Sequence, residues 1–293
     1  MKRTTRAHRA LAAGLLAASA LALAGCDVLR VFFPSHAHET TPPELPADLP
    51  APALLVFTKT NGFRHTEAIP AGLARIEEIA KRRGWSVFHT ENGAVFDDAL
   101  LAKFQATVWH QVSGDVLNET QRVALKRFVE GGGGWVGIHG AGGDRSYDWP
   151  WYVNELVGAQ FIGHTMGPQF QTASWRNENP LHPATAKLPE TWQHEEEIYS
   201  FDRSVRDLAG FLVLVSVDES TYSPVEKIFF RERSLAMEGS DHPMVWHHCV
   251  GRGRALYSAL GHQAKSYDEP EMLALLEGAI AFALRLEGVG CEP

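Results

Sequence analysis

Gly131-Gly132-Gly133-Gly134-Trp135-Val136-Gly137-Ile138-His139-Gly140-Ala141-Gly142-Gly143 decides how the rest of the chain is read. Four consecutive glycines end whatever helix precedes them, because glycine destabilises a helix interior and readily adopts the left-handed conformation at its end. Trp135-Val136-Gly137-Ile138 carries no polar side chain, as expected of a strand covered on both faces in a parallel sheet. The glycines after His139 permit a sharp strand-to-turn reversal that thrusts one side chain into a cleft, the mechanics of a nucleophile elbow. Here that side chain is an imidazole. It offers a base, an acid or a metal ligand, or simply a cap for neighbouring carbonyls.

Upstream, the pattern alternates. Ala53-Leu54-Leu55-Val56-Phe57 reads as a fully covered strand, and Ile69, Leu73, Ile76 and Ile79 share one helical face that stops at Gly84. Trp85–His89 is a second strand, a short helix runs from about Asp98 to Phe104, and Ala106–Val112 is a third strand. Asn118 with Gln121 forms a capping box for the helix that Gly131 ends. Strand, helix and strand in alternation predict an α/β fold, a mostly parallel sheet flanked by helices. The half after Gly143 is richer in strands: Phe170–Trp175, Ile198–Phe201, Leu212–Val217, Met244–Trp246 and Arg254–Leu260, with a closing helix over about Glu269–Leu286.

In such sheets ligands sit beyond the carboxyl ends of the strands. The loops at Asn61–Thr66, His110–Asp115 and His139–Asp144 share that edge, and Gly261-His262 follows the last strand in the same manner. His65 and His164 also lie in glycine-flanked loops. Glu195, Glu196 and Glu197 precede Ile198-Tyr199; strand alternation puts Glu195 and Glu197 on one face, so a carboxylate there can face the cleft or form a solvated edge. His182-Pro183 and His242-Pro243 read as turns. No G-x-S-x-G, P-loop or dinucleotide fingerprint is present, which removes the best support for serine hydrolase and nucleotide readings.

The opening residues have a different character. Lys2, Arg3, Arg6 and Arg9 precede an apolar run from Ala10 to Gly25, too short to span a bilayer. The run ends in Leu23-Ala24-Gly25-Cys26, which resembles a bacterial lipobox. We therefore expect a signal peptide over 1–25, lipidation at Cys26, and a cell-envelope location facing the periplasm or exterior, held to the membrane by the lipid alone. Residues 26–51 hold Pro34, Pro42, Pro43, Pro46 and Pro50 and read as an extended tether, with His36 and His38 solvated. The net charge of −8 becomes more acidic once the basic leader is removed, which argues against nucleic acid as a partner. Cys249 and Cys291 remain, able to pair in an oxidising compartment. Fourteen histidines and eight tryptophans suit a pocket for sugars or metals, though ordinary cores also use them.

A series of motifs over 52–287 then comes in order: Gly62-Phe63-Arg64-His65, Gly132 to His139, Asp148-Trp149-Pro150-Trp151-Tyr152, Phe161-Ile162-Gly163-His164 and Glu196-Glu197-Ile198-Tyr199. Asp218–Tyr222, Asp241–Trp246 and Gly253-Arg254 to Gly261-His262 complete it. This series resembles the trehalose-utilisation (ThuA-like) domain. The resemblance implies a fold similar to class I glutamine amidotransferases, with a flavodoxin-like core. In those enzymes the elbow carries a cysteine; here it carries His139, so no thiolate is available for amidotransferase chemistry.

The resemblance also implies a carbohydrate context, a disaccharide or keto-sugar, as small-molecule partner. We expect His139 and His262 to handle protons with Glu197 as carboxylate partner, in isomerase, lyase or hydrolase chemistry. Arg64, His65, His164 and Tyr199 are expected to bind hydroxyls or a carbonyl, and Trp149 and Trp151 to stack on sugar faces. A divalent metal held by the histidines and Glu197 is a candidate cofactor, although no compact ligand spacing marks it. The alternatives are a non-catalytic carbohydrate-binding surface lipoprotein and a structural surface protein.

Overall fold

The computed structural model describes Arg30 and residues 33–145, 147–228 and 230–291. The expected signal peptide and Cys26 lie outside the described residues. The parallel core follows the alternation of the sequence: β1 (Ala53–Phe57), α1 (Ala68–Arg83), β2 (Ser86–Thr90), α2 (Asp98–Leu101), β3 (Ala106–His110), α3 (Glu119–Glu130) and β4 (Gly134–Ile138). Local chemistry sets the boundaries. Gly84, with φ of 72°, closes α1 beneath Lys81, Arg82 and Arg83, whose charges suit the negative end of the helix dipole. The Asn118–Gln121 capping box starts α3 as expected.

The strand-rich second half adds β5 (Phe161–His164), β6 (Gln171–Asn177), β7 (Thr191–Glu196), β8 (Tyr199–Phe201) and β9 (Leu212–Val217). It ends with β10 (Val225–Ile228), β11 (Arg231–Ser234), β12 (Pro243–Val250), β13 (Gly253–Ser258) and α4 (Pro270–Ala283). One nine-stranded sheet runs β2-β1-β3-β4-β13-β12-β9-β6-β7. The first five strands are parallel neighbours, and from β13 onward each neighbour is antiparallel. β1, β3 and β4 are buried at every residue, whereas β6 and β7 alternate buried and open positions. That contrast is what a sheet covered on both faces at one end and half-solvated at the other requires.

Two features brace the ends of the chain. Cys249 and Cys291 form a disulfide with Cα atoms 5.3 Å apart, and Arg254 donates to the carbonyls of Phe282 and Glu287, so the tail after α4 is fastened to β12 and β13. The segment before β1 is extended, as its prolines dictate, but from Ser35 it lies along the domain instead of standing away from it. Ser35 N–H donates to Asn61, and Lys59, 5% exposed, donates to Ala37 O at 2.7 Å and Glu39 at 2.6 Å. His36 and His38 reach Asp115 at 3.5 and 3.3 Å, and Leu45 and Leu49 pack against the core. A buried ammonium needs a partner, and the segment supplies it.

Candidate functional site

β4 delivers His139 to the carboxyl edge of the sheet in a left-handed conformation, φ 47°, uncommon for a residue with a Cβ. The elbow expected from the glycines is therefore present. Gly142 and Gly143 leave room for the rings of Tyr257 and Tyr199; a Cβ would come within 2.5 and 2.6 Å of them. Tyr257 hydroxyl donates to His139 O at 2.8 Å, and the Tyr199 ring packs at a tilt against the imidazole with centroids 4.2 Å apart. His139 Nδ1 lies 2.7 Å from Ala259 O. A carbonyl only accepts, so Nδ1 carries a proton, and Nε2 is the nitrogen turned to the cleft.

That nitrogen meets groups from other segments. Nδ1 of His262, after β13, is 3.1 Å away, and Glu197 Oε2, just past β7, is 3.4 Å from His139 Nε2 and 2.8 Å from His262 Nδ1. His65, from the loop before α1, adds a fourth group: one ligating atom from each of His65, His139, Glu197 and His262 lies within 4.8 Å of the others. These four could hold a metal ion. Glu197 Oε1 is occupied separately, by Gln169 Nε2 at 2.5 Å and His164 Nδ1 at 3.2 Å.

Burial alone would raise the Glu197 carboxyl, but hydrogen bonds from His139 and His262 and the charge of His164 outweigh it and hold it well below the usual range. Burial pushes His65 well down, with the charges of His139 and His262 acting the same way. The centre thus sets an ionised carboxylate among three imidazoles. Glu196 works beside it. Fully buried, it accepts the backbone N–H groups of Gly261 and His262 at 2.7 and 3.2 Å, and pairs with His194 at 3.3 Å. It is the brace that sets the His262 loop.

The structure brings His139, His262, Glu197 and His65 together and sets His164 behind Glu197. Of the other expected substrate-binding residues, Arg64, Trp149 and Trp151 sit elsewhere and Tyr199 lies against His139. Arg64 is paired with Glu91 at 2.8 Å and bonded to Thr60. Tyr199 is 3% exposed and forms the wall behind His139, so its ring is a support and not an open hydroxyl. Trp149 packs at a tilt against Trp151 and stacks on Tyr152, beneath Arg122 and Lys126; among the described residues no ring contact joins them to the four-residue centre. Phe63 and Phe170 flank the centre in their place, 4.8 Å from His65 and 5.0 Å from His262. Gln169, Glu196 and the two phenylalanines were not singled out from the sequence. Glu195 faces outward to Lys265 and Glu197 inward, because β7 ends at Glu196 and the alternation breaks there.

The family described as trehalose utilisation, ThuA, matches residues 53–283. A ThuA-like protein from Bacteroides uniformis shares 22% identity, with a TM-score of 0.68 over 83% of this chain and 95% of its own. One from Parabacteroides merdae shares 17%, with a TM-score of 0.55 over 79% and 89%. At these identities the likeness concerns the fold. No curated protein matches the chain.

Proposed function

The chain belongs to the trehalose-utilisation (ThuA) family, and on that premise we propose that it is an exported, lipid-anchored enzyme acting on a disaccharide or keto-sugar by acid–base chemistry. The observation that carries this reading is the convergence of His139, His262 and Glu197 from three separate segments, with donor and acceptor atoms 2.8 to 3.4 Å apart. Export is supported by the basic, apolar, small-residue and Cys26 order of the leader, and by the Cys249–Cys291 disulfide, which suits an oxidising compartment.

A keto group acidifies the neighbouring C–H bond. On a 3-keto-glycoside, the carbon between the carbonyl and the anomeric centre gives its proton to a base. The glycosidic C–O bond then breaks, its electron pair leaves with the aglycone oxygen, and that oxygen takes a proton from an acid. Returning the first proton to a different carbon gives isomerisation. Neither course needs a redox partner. Phe63 and Phe170 offer apolar faces for a sugar ring beside the centre. Both an imidazole and a cation-bound water can take the first proton, and the lone-pair balance of the cluster decides between them.

The test is a thermal-shift screen of the full-length protein in detergent against disaccharides and 3-keto-disaccharides, followed by product analysis. A raised Tm with product formation is expected, and His139→Ala should lower turnover about a hundredfold or more. A sugar that raises Tm without ever being converted would leave a carbohydrate-binding lipoprotein. No shift and no product with any sugar would remove the carbohydrate reading altogether.

A further inference from the structure

We propose that His65, His139, Glu197 and His262 bind one divalent transition-metal cation, for which zinc is the simplest probe. This deepens the carbohydrate reading and rests on it only for the substrate the cation would meet.

The argument is a count of protons. His139 Nδ1 donates to Ala259 O, so whenever the ring carries a single proton its Nε2 is a bare lone pair. Glu197 Oε2 brings only lone pairs, and it faces that nitrogen at 3.4 Å. His262 Nδ1 is the group between them, 2.8 Å from the carboxylate and 3.1 Å from the imidazole, and a single N–H cannot serve both acceptors well. His65 adds another ring, 7% exposed, whose Nδ1 has no hydrogen-bond partner. Converging lone pairs in a buried place call for positive charge at their centre.

The geometry fits such a charge. Ligand atoms about 2.0–2.1 Å from a zinc ion lie roughly 2.9–3.4 Å from one another, in octahedral or tetrahedral arrangement. The triangle of His139 Nε2, His262 Nδ1 and Glu197 Oε2 has edges of 3.1, 2.8 and 3.4 Å. Two imidazoles and one carboxylate on a face are a recurrent set for first-row divalent cations, and His65, whose ligating atom lies within 4.8 Å of the others, would have to draw closer to become a fourth ligand. The outer contacts are those that orient ligands: a carbonyl on His139 Nδ1, and Gln169 with His164 on the second oxygen of Glu197.

His262 and His164 are the partly open members of the group, with side chains 14% and 22% exposed, so the free coordination position faces their side, between Phe63 and Phe170. There the cation would either accept a carbonyl lone pair from the sugar or lower the pKa of a water bound in its place. His139 and His262 then act as ligands. With the cation bound, a water it activates would be the base for the carbon proton, and the cation would supply Lewis acidity for the negative charge that develops.

The full-length protein is stripped with a chelator and titrated calorimetrically with Zn2+, with Mn2+ and Co2+ in parallel. One ion per chain with a raised Tm is expected, and Glu197→Gln should weaken binding at least a hundredfold. His65→Ala opens a space in a buried loop, so Gln169→Ala, which would not touch the ion, is the second variant, expected to weaken binding about 10–100-fold. Failure of all three cations to bind at stoichiometry, or undiminished binding by Glu197→Gln, overturns the proposal. A stoichiometric ion in a protein that neither binds nor converts any sugar supports the metal site and removes the carbohydrate reading.

Discussion

His139 Nε2 and His262 Nδ1 lie 3.1 Å apart, although 123 residues separate them in sequence. The elbow after β4 and the loop after β13 are neighbours because those strands pair in parallel, Ile138 opposite Ser258. A sheet that places two such turns side by side can hold a two-histidine site on backbone geometry, and the surrounding side chains need only orient the rings.

Glu196 is the first of these orienting groups. Glu196→Gln keeps one acceptor oxygen but turns an amide N–H2 toward backbone N–H donors and loses the charge that His194 meets. Mispaired buried groups of this kind cost about 1–3 kcal/mol. We predict a Tm lower by about 3–10 °C and a kcat that falls more than KM rises. Unchanged Tm and kcat would show that the His262 loop holds itself.

Acid should destabilise the protein before carboxylates protonate. Burial pushes His110, His247 and His248 down to about 4, and His182 to about 3. The folded chain therefore keeps these rings neutral, while the unfolded chain protonates them below about 6.5. Their contribution is complete above that value and is lost as pH falls toward 4, by up to about 1.4 kcal/mol per pH unit for each group. His194, raised by Glu196 and Glu269 against its own burial, works the other way, but it is one group against four. Thermal melts from pH 7 to 4.5 should show Tm falling from about pH 6.5 downward; a flat profile to pH 5 would contradict this.

The disulfide should matter to stability and not to the site. Cys249 and Cys291 close a loop of 42 residues, for which the chain-entropy estimate is about 4 kcal/mol. Reduction, or Cys249→Ser with Cys291→Ser, should lower Tm by about 5–15 °C with turnover at 25 °C retained. Loss of turnover without loss of Tm would place these residues in the chemistry.

The segment ahead of β1 should behave as part of the domain. Glu39→Gln leaves the Lys59 ammonium, 5% exposed, facing the Ala37 carbonyl and a neutral amide, without the carboxylate charge it now meets. With Glu39 itself partly open to solvent, the cost is about 1–2 kcal/mol. Limited proteolysis should then cut between residues 39 and 52 earlier than in the wild type. Equal cutting of both proteins would mean that Lys59 does not hold this segment.

The parallel core was legible because burial on both faces writes itself as uninterrupted apolar runs, in Ala53–Phe57 and Trp135–Ile138 above all. His139 was legible through its glycines, and His262 through its place after a strand. The short strands Phe161–His164 and Thr191–Glu196 carry no clean alternation, and Glu196 sits at the residue where the strand stops, so its inward turn left no periodic trace. Trp149 and Trp151 looked like sugar platforms by residue type; their partners are Tyr152 and, on α3, Arg122 and Lys126, a tertiary contact that composition does not reveal. The proline-rich segment showed its extended backbone but not its docking, which depends on Lys59 being buried.

The most direct test of the account is a double-mutant cycle on turnover: wild type, His139→Ala, Glu197→Gln and the double variant, on the sugar with the largest thermal shift. If the two residues work in one centre, either single change should lower kcat about as far as both together, since groups that act as a unit are not additive. Losses that multiply in the double variant, or a Glu197→Gln enzyme as active as the wild type, would contradict it.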